Sequence, residues 1–142
     1  MPYPQYMRSR SPVSSIGIDH GELAILRQIR ASAASTSANS LRLGIGDDCA
    51  LLRARPTEEI AVTTDLSIAG RHFRLDWHQP ESIGHRALAR GLSDLAAMGA
   101  RPLAVFLSLG LPRELTQSKR RTSWLQRFLD GLLALAESHK TP

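Results

Sequence analysis

The chain has one cysteine, Cys49. A single thiol excludes an internal disulfide framework and fits a reducing cytoplasm. Aromatic residues make up only 5 % of the sequence, which leaves few large anchors for a core. No apolar run approaches the roughly 18 residues that a membrane span needs. Arg8 and Arg10 near the start are followed by no apolar stretch, so a secretory signal is not expected either. No G-x-x-x-x-G-K-[ST] loop is present, and no G-x-G-x-x-G opens a helix. No G-x-S-x-G elbow supports a nucleophilic serine. Cys49 lacks a partner set for zinc, and the five histidines show no metal-ligand spacing.

What remains is a chain of 142 residues, 42 % hydrophobic, with a net charge of +5. That length suits one domain and is marginal for two. The sequence pI is about 10.3, which invites a nucleic-acid reading. The arginines are scattered, however, and the densest cluster, Lys119-Arg120-Arg121, opens a helix instead of forming a stripe. No nucleic-acid partner and no membrane partner are expected. A basic surface also suits a small anionic substrate such as a phosphate ester.

Residues 1–17 are rich in Pro, Ser and Arg without periodicity and read as a disordered tail. Residues 18–142 read as one domain. A first helix is expected over 19–31, with Asp19 as its N-cap. The small-residue stretch 32–40 reads as a linker. "CALLRA" after Asp48 is β-like, and "EEIAVTTDLSI" at 58–68 has the β-branched density of a strand from Ile60 to Thr64. Pro80 sits where a second helix begins, and that helix should end at Gly99. "RPLAVFLSLGLP" at 101–112 reads as an apolar strand. A last amphipathic helix spans about 118–139 and carries Trp124, Leu125, Phe128, Leu129, Leu132 and Leu135. Strands alternating with long helices imply an α+β class (an α/β sandwich), with a mixed sheet covered by helices. The order stops after a helix, where another strand would normally follow.

Three acidic positions stand out. In "LGIGDDCALL" the adjacent Asp47 and Asp48 follow two glycines. Successive extended residues point to opposite sides, so one aspartate should face a site while the other faces solvent or caps a backbone group. A solvated turn is the plain alternative. In "TTD", Thr63, Thr64 and Asp65 offer hydroxyl, carbonyl and carboxylate oxygens, the donors a hard cation such as Mg²⁺ takes. A Thr-rich strand end closed by an Asp turn is the alternative there. Asp94 falls at the edge of the apolar arc of the second helix, where Leu88, Leu92 and Leu95 form the core stripe and Ile83, Ala87, Gly91 and Met98 adjoin it. A carboxylate there needs a cation or a partner. Arg90 and Arg101 are the ordinary candidates.

Read in order, "GIGDDCALL", "AVTTDLSIAGRHF" and "ALARGLSDLAAMGARPLAVFLSLGLP" resemble the N-terminal half of thiamine-monophosphate kinases. These enzymes sit in one superfamily with aminoimidazole-ribonucleotide synthetase and selenophosphate synthetase. The resemblance runs over about residues 19–139, and "LSDLAAMGARP" and the G-x-HF after "TTD" are its specific parts. It implies ATP-dependent phosphorylation of thiamine monophosphate to thiamine diphosphate, with Mg²⁺ bridging the phosphates and no protein nucleophile. It implies Asp48, Thr63, Thr64, Asp65 and Asp94 as metal ligands and His72 as a substrate contact. It also implies an aminoimidazole-ribonucleotide-synthetase N-terminal-like domain and a homodimer.

Gly91 and Ala69 depart from the family pattern, where an asparagine and an acidic residue are common. The family also continues beyond this length with a Gly-Gly-Asp strand and a second domain. A chain holding only the first part could alternatively be a non-catalytic Mg-nucleotide-binding or dimerisation domain. A third reading is another ATP-using member of the superfamily.

Overall fold

The computed structural model describes residues 22–33, 40–112, 115 and 120–142, with side chains in the last stretch from 123 onward. The expected N-terminal tail, the Asp19 cap, most of the 32–40 linker and the side chains of the Lys119-Arg120-Arg121 cluster lie outside the described residues. The elements in chain order are α1 (Glu22–Ser32), β1 (Leu41–Leu43), β2 (Leu51–Leu52), α2 (Pro80–Ala97) and α3 (Arg120–Ser138).

α2 begins where its sequence says it should. Pro80 occupies the first helical turn, where its missing N–H costs nothing. The helix closes on Gly99, whose φ of 62° is the left-handed conformation that glycine adopts freely. The Ala100 amide donates to the Leu95 carbonyl at 2.8 Å and the Gly99 amide to Ala96 at 3.0 Å. That pair of bonds satisfies the last turn. α3 ends in the same way, but with Lys140 at φ 52° in the left-handed position. There the Thr141 amide reaches the Ala136 carbonyl and the Lys140 amide reaches Glu137, both at 2.9 Å.

The core forms where α2 meets α3. Ile83 and Leu88 of α2 are buried with Leu125, Phe128, Leu129, Leu132 and Ala136 of α3. The amphipathic pattern of the last helix is therefore realised as read. Trp124 and Phe128 stack at 5.4 Å. The helices approach so closely because each presents a glycine to the other. Gly84 lies against the backbone of Phe128 and Leu132, and Gly131 lies against the backbone of Glu81. Arg127 of α3 locks the crossing by donating to the Glu81 carboxylate at 2.5 Å and to Gln79 Oε1 at 2.7 Å. The Arg127 guanidinium bond holds the Glu81 carboxyl below its usual range. α1 leans on α3 through Ile25 and Ile29.

The α+β class holds, and among the described residues its sheet is a two-stranded antiparallel ribbon, with Leu41 opposite Leu52 and Leu43 opposite Leu51. Strand β1 was not legible as a strand, because three residues (Leu-Arg-Leu) are too short to show a period. The strands expected at 60–64 and 101–112 are not ladder strands among the described residues. A strand exists only with a neighbour to share its backbone bonds. Segment 101–112 keeps a strand's alternation all the same. Val105, Leu107 and Leu109 turn to the core, while Phe106 is 70 % exposed. It is pinned by the Val105 amide donating to the Pro142 carbonyl at 2.8 Å and by Ser40 Oγ donating to the Leu103 carbonyl at 3.1 Å. No described helix is long and apolar enough to cross a membrane.

Candidate functional site

α2 carries two faces. Its core face holds Ile83, Gly84 and Leu88. Arg86, Arg90 and Asp94 follow one another at four-residue spacing, which aligns them along a single stripe. Segment 63–73 runs along that stripe.

Thr63 Oγ1 donates to Asp94 Oδ2 at 2.7 Å across 31 residues of sequence. Residue 91 beside this contact is glycine, and the space would also admit a Cβ. A Cβ there would stand 3.7 Å from the Thr63 methyl, in ordinary contact. Asp65 Oδ2 accepts from Arg90 Nε at 2.5 Å, and Asp65 Oδ1 accepts from the Leu66 amide at 2.9 Å. Arg90 Nη1 also donates to the Leu66 carbonyl at 3.4 Å. The ordinary partners expected for Asp94 are thus engaged elsewhere: Arg90 takes Asp65, and Arg101 takes Glu58 at 3.5 Å. Asp94 meets a hydroxyl instead. Thr64 is exposed beside them.

The chain then turns tightly. Gly70 has φ 80°, and its amide donates to the Phe73 carbonyl at 2.8 Å. The turn places His72 so that its Nδ1 accepts from the Ile68 amide at 3.0 Å. An accepting Nδ1 leaves Nε2 to carry the proton. His72 lines a shallow cleft with Ser67, Phe73, Ile83, Arg86 and Arg90. Two guanidiniums, an imidazole N–H and a hydroxyl over an apolar floor favour an anion with an uncharged body. Beyond it, Arg74 holds Asp76 in a two-point contact that keeps the Asp76 carboxyl below its usual range. Arg74 also lies over the exposed Trp77 ring at 4.4 Å.

The acidic turn is a separate corner. Gly46 has φ 122°, and the guanidinium of Arg30 from α1 lies where a Cβ would be, at 2.9 Å. The positive φ favours glycine, whereas the flexible arginine side chain could swing aside from a Cβ. Asp47 Oδ1 accepts from the Asp48 amide at 2.9 Å, so Asp47 caps its neighbour. Asp48 itself is exposed. The structure therefore brings Thr63, Asp65 and Asp94 together along α2. Among the described residues, no three of His, Cys, Asp and Glu close into a metal cage. The donors that do assemble are all oxygens, which fits a hard cation more than zinc.

Sequence reasoning missed two residues of this site. Arg86 and Arg90 were not singled out for the cleft, although their four-residue spacing on the helix bearing Asp94 could have signalled it.

Residues 46–142 match the family model described as "AIR synthase related protein, N-terminal domain". The thiamine-monophosphate kinase of Corynebacterium glutamicum is 46 % identical over 95 residues, covering 66 % of this chain and 27 % of that enzyme. Those of Salmonella typhimurium and Bacillus subtilis are 44 % and 41 % identical, each alignment covering 70 % of this chain and 29 % of the relative. The alignments with these curated relatives thus cover less than a third of their length. By the family model, which covers the acidic turn, the Thr63–Asp94 contact and the cleft, the chain belongs to the AIR synthase related proteins and carries their N-terminal domain.

Proposed function

We propose that the chain supplies the N-terminal domain of a thiamine-monophosphate kinase, which uses ATP to phosphorylate thiamine monophosphate to thiamine diphosphate. The observation that carries this reading is the meeting of Thr63 with Asp94, with Asp65 held by Arg90 one helical turn before Asp94, in a chain 41–46 % identical to enzymes of that name.

The chemistry needs little from protein groups beyond position and charge. An oxygen of the acceptor phosphate attacks the terminal phosphorus of ATP, the bond to ADP breaks, and ADP leaves with the electron pair. No protein nucleophile takes part. Mg²⁺, where bound, neutralises the phosphate charge and holds the reacting groups in line. Thr63, Thr64, Asp65 and Asp94 would hold magnesium along α2 and Asp48 would hold it at the separate acidic turn, and their oxygen donors suit it. His72 would meet the substrate from the cleft, with Arg86 and Arg90 attracting its phosphate. A homodimer accompanies this reading, supported by apolar side chains exposed on segments 60–64 and 101–111, which have no ladder neighbour among the described residues. Val62 and Phe106 expose apolar side chains there, at 80 % and 70 %. A cytoplasmic location agrees with the lone, exposed thiol.

A second reading is a Mg-nucleotide-binding or dimerisation domain without turnover of its own, favoured by the small share of each relative that the alignments cover. Two measurements separate them. In a coupled assay with Mg-ATP and thiamine monophosphate, thiamine diphosphate formation that is lost in Asp94→Asn supports the kinase reading. Turnover that survives Asp94→Asn refutes the metal roles. Calorimetric binding of Mg-ATP without turnover selects the second reading, and no heat at high protein concentration eliminates nucleotide binding by this chain.

A further inference from the structure

Among the described residues, Arg90 is the one side chain shared by the two halves of the site. Its Nε is 2.5 Å from Asp65 Oδ2 and its Nη1 reaches the Leu66 carbonyl at 3.4 Å, while the same residue lines the cleft beside Arg86. Asp65 Oδ1 is already taken by the Leu66 amide. A metal ion binding at Oδ2 must contend with a guanidinium. Asp94, one turn further along α2, faces only a neutral hydroxyl from Thr63 among the described residues.

We propose that Arg90 is a built-in competitor of the divalent cation at Asp65: its guanidinium occupies the carboxylate until a metal ion displaces it, and so sets how tightly this site takes metal. The proposal rests on the metal reading of Asp65 and Asp94 given above. Displacement is feasible because the pair is not sealed. The Arg90 side chain is 40 % exposed and that of Asp65 26 %, so solvent can rehydrate the guanidinium as it leaves. Arg90 already borders the cleft beside Arg86, so once displaced it can pair with an anion bound there. A partly exposed pair is a weak competitor, and its removal should tighten metal binding about two- to fivefold. It should also be screened by salt.

The test uses Mn²⁺ alone as probe, titrated into the full chain and followed by the electron paramagnetic resonance of the free ion. Four proteins are compared: wild type, Arg90→Gln, Arg90→Lys and Asp94→Asn, each checked for folding by far-UV circular dichroism. Arg90→Gln should bind Mn²⁺ about two- to fivefold more tightly than wild type, with the gap narrowing in high salt. Arg90→Lys keeps the charge but loses the two-point fork, so it should fall between them, and it stands in if the glutamine variant fails to fold. Asp94→Asn should weaken binding. If Asp94→Asn weakens binding while neither Arg90 variant tightens it, the competition is refuted and the metal reading stands. If wild type binds no Mn²⁺, or Asp94→Asn binds it as wild type does, the metal reading falls and the competition falls with it.

Discussion

Replacing Gly131 by alanine should destabilise the domain although alanine is the better helix former. A Cβ on Gly131 would stand 2.6 Å from the Glu81 carbonyl carbon and 2.7 Å from its Cα, with the carbonyl oxygen nearer still. Carbon atoms rest at about 3.5 Å or more, so α2 and α3 must part by close to 1 Å. Every obstructing atom is backbone, and no side chain can swing aside. Overpacking of this kind costs about 1–3 kcal/mol, and rigid neighbours place it near the upper end. Helix propensity returns about 1 kcal/mol. The net is a loss of about 2 kcal/mol, or a melting temperature lower by roughly 5–10 °C. The measurement is thermal and urea unfolding followed by circular dichroism. Gly84→Ala should behave alike, since its Cβ would stand 2.9 Å from the Phe128 carbonyl carbon. Gly91→Ala is the internal control on the same helix. Its nearest neighbour would be the Thr63 methyl at 3.7 Å, so propensity should dominate and stability should rise by about 0.5–1 kcal/mol. If Gly131→Ala matched wild type, the close crossing of the two helices would be wrong.

Three further outcomes are expected. Lys140→Gly should stabilise the chain by about 1 kcal/mol, because glycine relieves the left-handed backbone at the end of α3; equal urea midpoints for the two proteins would show that Lys140 is not held there. Glu81 titrates below its usual value because of Arg127, so the folded state binds fewer protons than the unfolded one. Its contribution is present above the ordinary carboxylate titration near 4.5 and is lost as pH falls through the depressed value. The melting temperature should therefore drop as pH falls below about 4.5, and the drop should be shallower in Glu81→Gln. Phe106→Lys should reduce self-association seen in sedimentation velocity, because Phe106 is exposed on unpaired strand-like backbone; an unchanged sedimentation coefficient across protein concentrations would remove that segment from any interface.

How much of this was legible in the sequence differs by element. The helices were, because each carries its own periodicity and ends. Pro80 starts α2, Gly99 stops it, and the leucines of α3 repeat at helical spacing. The strands at 60–64 and 101–112 were not settled, because β-branched residues state a preference and only a neighbouring strand can fulfil it. Phe106 turning outward between Val105 and Leu107 shows the preference persisting without a ladder. Gly84 is buried where a leucine stripe was expected to do the work. A glycine signals close approach only once its neighbour is known. The acidic residues were visible one at a time, but which basic residue each would meet was not. Asp94 lies four residues from Arg90, and nothing local says that Arg90 reaches across to Asp65 while Thr63 comes to Asp94.

That exchange of partners follows from the way α2 is used. The glycine crossing with α3 fixes the helix on its core side and leaves Arg86, Arg90 and Asp94 aligned on another. Segment 63–73 must then lie along a stripe of mixed charge, basic at 86 and 90 and acidic at 94. A lone carboxylate at 65 settles against the nearest guanidinium, and a neutral hydroxyl at 63 settles against the remaining carboxylate. Core substitutions and site substitutions on α2 should therefore couple. Parting the helices in Gly84→Ala would shift the whole charged stripe relative to 63–73 and weaken Mn²⁺ binding as well as stability. Gly91→Ala, in ordinary contact with Thr63, should raise stability and leave Mn²⁺ binding within about twofold. Equal Mn²⁺ affinity in folded Gly84→Ala and wild type would show that the stripe is positioned by something other than the crossing.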